Sequence, residues 1–156
     1  MAATITGVVV IILVSVMAYQ DLRTFSINIQ LFVLCAIIIA CHAILCFGLL
    51  ESILNTIVNC MIVLVLLLFV WLWFSIKSGE NVKIIDTMIG KGDIVFMAIM
   101  APLFSPTKYV VFLIFSFCIS IIYAISKHTD KHKPIPLVFF MSISYVIISI
   151  SNIISA

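Results

Sequence analysis

Six apolar runs, parted by short polar stretches, limit the fold of this chain more than any other feature. They cover roughly Ala2–Tyr19, Ile27–Leu50, Ser52–Ile76, Ile94–Leu103, Tyr109–Ser126 and Ile135–Ile154. A helix rising 1.5 Å per residue needs about 20 residues to cross a hydrocarbon core of ~30 Å, and most of these runs come near that length. The fourth is the exception. With 65% hydrophobic and 9% charged residues in 156, and a mean hydropathy of +1.42, the composition lies far outside that of soluble globular domains. The expectation is an all-α integral membrane protein, a polytopic bundle of six transmembrane helices forming one domain over residues 1–156. No internal repeat or low-complexity tract interrupts it.

The charges set the orientation. Arg23 follows the first run, Lys77, Lys83 and Lys91 lie between the third and fourth, and Lys127, Lys131 and Lys133 lie between the fifth and sixth. Only Lys108 lies on the opposite side, so the positive-inside rule makes the crowded side cytoplasmic and points both termini outward. A net charge of +2 spread over several loops makes no nucleic-acid surface. Cys35, Cys41, Cys46, Cys60 and Cys118 fall inside apolar runs without Cys-x-x-Cys spacing and read as small apolar fillers, not as zinc ligands or a disulfide framework. Met1-Ala2-Ala3-Thr4 lacks a basic leader region, so the first helix is expected to be retained. The outer turns are short, Phe47 to Glu51 and Pro102 to Lys108.

The short fourth run is preceded by Gly90-Lys91-Gly92-Asp93. A carboxylate at the edge of an apolar run is costly and marks a functional position. Two glycines each cost about 1 kcal/mol in a helix interior and permit irregular backbone, which predicts a short helix beginning near Asp93 in a recess open to the cytoplasm. Asp21, in Tyr19-Gln20-Asp21-Leu22-Arg23, comes to the same face at the close of the first helix. Two carboxylates sharing a site do not both ionise readily, so one keeps a proton while the other activates water. Such a pair hydrolyses a peptide bond: the charged member draws a proton from the attacking water, and the protonated member hydrogen-bonds the carbonyl. By the dipoles of their own helices, Asp93 at an N-terminus is the base and Asp21 at a C-terminus the acid, with Arg23 opposing that division. The pair titrates as a unit in either case. Asp86, seven residues before Asp93, is a weaker alternative partner, because the glycines interrupt the helix between them.

At these residues the chain resembles the type IV prepilin peptidases, intramembrane aspartic proteases with a Gly-x-Gly-Asp motif. Gly90-Lys91-Gly92-Asp93 is similar to that motif, and Asp21-Leu22-Arg23-Thr24 followed by Ile27 to the family's first-aspartate segment. Lys133-Pro134-Ile135-Pro136 is similar to the Ile-Pro that opens the family's final helix. Val95 stands where the family usually has Lys, Asn28 where the first motif has Pro, and Leu137-Val138-Phe139 lacks the expected Gly-Pro. The resemblance implies Asp21 and Asp93 as catalytic residues, with Gly90, Lys91, Gly92 and Arg23 supporting them. It implies a prepilin or pseudopilin substrate cut on the cytoplasmic side of a bacterial inner membrane, and a pilus or secretion assembly as partner. The paired Cys-x-x-Cys domain of larger members has no counterpart here, which corresponds to a short, peptidase-only form. No metal or organic cofactor is implied, since two carboxylates and a water suffice.

The remaining polar residues have plainer readings. His42 and the pair Asn55 and Asn59 are expected to hydrogen-bond neighbouring helices. Glu80, Asp130 and Glu51 read as solvated charges, and His128 and His132 belong to a basic loop facing anionic lipid. Trp71, Trp73 and Tyr19 read as interfacial belt residues. Lys91 reads either as an aspartate's electrostatic neighbour or as an inside-positive anchor. Two rival functions use the same acids: a small proton-coupled transporter, which calls for paired broken helices where one break is visible, and a catalytically inactive scaffold.

Overall fold

The structure is a computed structural model that describes residues 2–24, 27–78, 90–126 and 136–154, the side chains of 151–154 excepted. Among the described residues there are six α-helices and no strand: α1 (Ala2–Thr24), α2 (Ile29–Phe47), α3 (Leu49–Ser78), α4 (Lys91–Met100), α5 (Pro106–Ser126) and α6 (Leu137–Ile154), with a 3₁₀ turn over Ala101–Leu103. Four of them, α1, α2, α3 and α5, are long and apolar enough to cross a membrane, and α6 carries a shorter apolar stretch over Leu137–Ile150. The chain is thus an all-α, multi-pass membrane protein. At 10 residues and about 15 Å, α4 is too short to cross by itself.

Local chemistry explains the breaks. Gly48 takes φ +85°, a left-handed conformation open to glycine, and a single residue therefore turns α2 into α3. Its N–H donates to the Ile44 carbonyl at 2.9 Å, and its carbonyl accepts from Ser52 N–H at 3.1 Å. Asn28 opens α2 as an N-cap, its side chain accepting from Gln30 N–H at 3.1 Å. Pro106 begins α5, where its missing N–H costs nothing.

The short α4 lies inside the bundle, against α2, α3 and α6, while α1 packs along α2 and α6, and α5 along α6. Val10, Val14 and Met17 form one buried stripe of α1, and Phe96, Met97 and Met100 are the buried face of α4. Large apolar side chains such as Phe69, Ile76 and Ile125 point outward, as acyl chains require.

The far end of α4 is held by side chains. Ala101 N–H bonds Ala98 in 3₁₀ fashion, which leaves the Met97 carbonyl without its usual partner. The Tyr109 hydroxyl donates to that carbonyl at 2.8 Å, and Asn59 Nδ2 donates to the carbonyls of Ala101 and Phe104, each at 2.8 Å. His42 Nδ1 pairs with the Thr6 hydroxyl at 2.8 Å across the close approach of α1 and α2 at Gly7. The interhelical bond expected of His42 is present; Asn59 donates instead to the turn after α4 and leaves its Oδ1 without a partner, as Asn55 leaves its Nδ2.

Several boundaries differ from the expected ones. The first helix continues to Thr24 because Gln20–Thr24, though polar, keep helical backbone beyond the apolar run; Asp21 lies within its last turn and does not close it. The turn expected over Phe47–Glu51 is Gly48 alone. Trp71, Trp73 and Tyr19 are exposed, as belt residues are. Lys83, Lys127, Lys131, Lys133, Glu80, Asp86, His128, Asp130 and His132 lie outside the described residues.

Candidate active site

The motif glycines play different parts. Gly90 is the N-cap of α4 in extended backbone (φ −65°, ψ 142°), so irregular backbone is not what it provides. Its N–H donates to Asp93 Oδ2 at 3.2 Å, and Asp93 N–H returns to the Gly90 carbonyl at 3.0 Å. A Cβ on Gly90 would stand 3.0 Å from Asp93 Oδ2, so the missing side chain is room for the carboxylate. Gly92 is helical, inside the first turn of α4, and a Cβ there would meet only the Phe32 ring at 3.7 Å, an ordinary contact. The expected helix start near Asp93 is therefore two residues earlier, at Lys91.

Asp21 is almost fully buried, at 7% exposure. Its partner is the main chain of a third helix: Phe139 N–H, in the first turn of α6, donates to Asp21 Oδ2 at 3.1 Å, across 118 positions of sequence. The charge of Asp21 bears on the Asp93 carboxyl, so the two acids come from α1 and α4 to one neighbourhood. Asp93 sits at the rim, half-buried and outside the four spanning helices. Burial, and after it the negative charge of Asp21, push its carboxyl up to about 6, against the lowering effect of the Gly90 and Val138 amides.

The supporting residues divide. Arg23 is exposed and its guanidinium lies over the Tyr19 ring, 5.2 Å from the centroid, while Asp21 turns to α6. Lys91 is exposed at the first position of α4. Val95, where the family usually has Lys, points outward at 44% exposure. Pro136, of the Ile-Pro segment, is buried directly before α6 and marks where its free amides begin. Sequence reasoning missed those amides, because main-chain donors carry no residue signature; a proline just ahead of the last helix was the available sign.

Comparison with protein-family models, with curated proteins and with solved structures gave no match.

Proposed function

We propose that this protein is an aspartic endopeptidase of the bacterial cytoplasmic membrane that cuts the leader from prepilin-like or pseudopilin precursors, with Asp21 and Asp93 as its catalytic pair. The observation that carries this reading is the nearness of two carboxylates 72 positions apart in sequence (93 − 21), with the charge of Asp21 acting on Asp93 and Asp21 bonded to the first turn of α6. A membrane protein has no structural need to bring two acids together, and hydrolysis needs that arrangement.

The division of labour follows from the neighbours of each acid. Asp21 accepts the Phe139 amide of α6, and Asp93, buried beside the charge of Asp21, is the member to which we assign the shared proton. The dipoles of α1 and α4 taken alone give the opposite division, and the pair titrates as a unit in either case. The Asp21 carboxylate takes a proton from water as the water oxygen bonds the scissile carbonyl carbon, and protonated Asp93 hydrogen-bonds the carbonyl oxygen and transfers its proton to it. Collapse of the tetrahedral species breaks the C–N bond. The proton on Asp21 passes to the leaving amine, and the hydroxyl proton returns to Asp93.

The test is processing of a co-expressed prepilin, scored by gel shift, with the unchanged protein and with Asp21→Asn, Asp93→Asn and Asp86→Asn. Loss of processing in the first two variants at unchanged membrane abundance, with Asp86→Asn active, supports the pair. Processing that survives either substitution removes it, and an unchanged protein that cuts nothing shifts weight to proton transport or scaffolding.

A further inference from the structure

Asp21 lies within the last turn of its own helix, where the dipole disfavours negative charge, and it faces a second carboxylate. Something must offset both effects. Arg23, the nearest cation in sequence, is turned onto Tyr19.

We propose that the first turn of α6 is the third component of the site, with Phe139 as a positioning residue that acts through its main-chain N–H. The proposal rests on the reading of Asp21 and Asp93 as a working pair. Two observations carry it: the Phe139 N–H contact to Asp21 Oδ2 at 3.1 Å, and the packing of α6 along α1, which brings that amide to the carboxylate. Phe139 is the third residue of α6, whose amide has no acceptor inside the helix, so donating to Asp21 breaks no helical bond. The first turn of α6 holds no acidic side chain that would compete for it. The charged groups near the pair include Asp93 and Lys91 from α4 and Arg23 from α1. The Phe139 amide therefore fixes the direction of one Asp21 oxygen before substrate arrives.

Amide hydrogen exchange on the purified full chain in detergent tests the anchor without reference to activity. Phe139 N–H is protected in the unchanged protein and exchanges roughly tenfold or more faster in Asp21→Ala, as loss of a charge-assisted bond requires, while amides deeper in α6 keep their rates. A second arm uses proline, which removes the donor where helices tolerate it best. Phe139→Pro raises labelling of Asp21 by a hydrophobic carbodiimide several-fold at pH 7 and slows prepilin processing roughly tenfold. Leu137→Pro, two positions earlier in the same turn, changes neither. Equal Phe139 exchange with and without the Asp21 carboxylate overturns the proposal, and so does labelling in Phe139→Pro that matches the unchanged protein. If the unchanged protein cuts no prepilin, the peptidase reading fails while the exchange result still decides the anchor. If Phe139→Pro does not fold, Asp21→Ala decides it.

Discussion

The two ends of α4 solve the same problem in opposite ways. At its far end, neutral groups close every freed carbonyl named above: Asn59 takes those of Ala101 and Phe104, and Tyr109 takes that of Met97. At its near end, two carboxylates stand close enough for one charge to act on the other, and each takes an amide of its own, Phe139 for Asp21 and Gly90 for Asp93. The first arrangement lowers the energy of the fold and has one stable protonation state. The second raises it, since like charges and burial both act on Asp93, and it has several. Stability is concentrated at one end and chemistry at the other, and the rigid end sets the depth at which Asp93 is presented.

The sharpest way to break that contrast is at Gly90. In Gly90→Val the new Cβ stands 3.0 Å from Asp93 Oδ2, and a branched side chain cannot move aside as a flexible one could. A carboxylate displaced by about 1 Å costs roughly a hundredfold in rate. Prepilin cleavage should fall by that order, with helix content and abundance retained because Gly90 lies outside the helix.

Acidity gives the next largest effect. Asp93, pushed up to about 6, is protonated below that pH and loses its proton above it. A pair that works with one shared proton therefore loses kcat/KM as pH rises through about 6, by up to roughly tenfold per unit. Since the two acids titrate together, this limb belongs to the pair and not to one residue. A pH profile of cleavage that stays flat from 5 to 8 would break the electrostatic half of the comparison.

At the rigid end the expected change is in stability. Asn59→Leu leaves two buried carbonyls without donors, which costs about 1–3 kcal/mol, toward the lower figure if a neighbouring group substitutes within the bilayer. Unfolding of the purified protein by denaturing detergent measures it. A loss of cleavage larger than the loss of stability explains would show that the far end does more than set the depth of α4.

Much of this fold was legible because the bilayer imposes length. Residues such as Arg23 and Lys77 bracket apolar runs whose ends agree with the observed helices within a few residues in most cases. The larger differences arise where hydropathy is silent about backbone: α1 runs on through Gln20–Thr24, and α3 gains Leu49–Glu51 because one glycine suffices for a turn. Asp21 and Asp93 stood out as candidate acids from charge cost and side. The amide that Asp21 accepts did not, since the Phe139 N–H looks like any other until α6 is packed on α1.

The smallest effect sharpens the comparison within the motif itself. Gly92, unlike Gly90, touches no carboxylate; a Cβ there meets the Phe32 ring at 3.7 Å. Alanine is the better helix former by about 1 kcal/mol in an interior and by less in a first turn, so Gly92→Ala should change stability by under about 1 kcal/mol, in the favourable direction. Cleavage should then stay within about twofold of the unchanged rate, set against the hundredfold loss in Gly90→Val. The ratio of the two rates, measured on one prepilin at pH 6, isolates the room left for Asp93 from any general need for glycine. A Gly92→Ala protein as inactive as Gly90→Val would mean that substrate, rather than Asp93, comes against this turn.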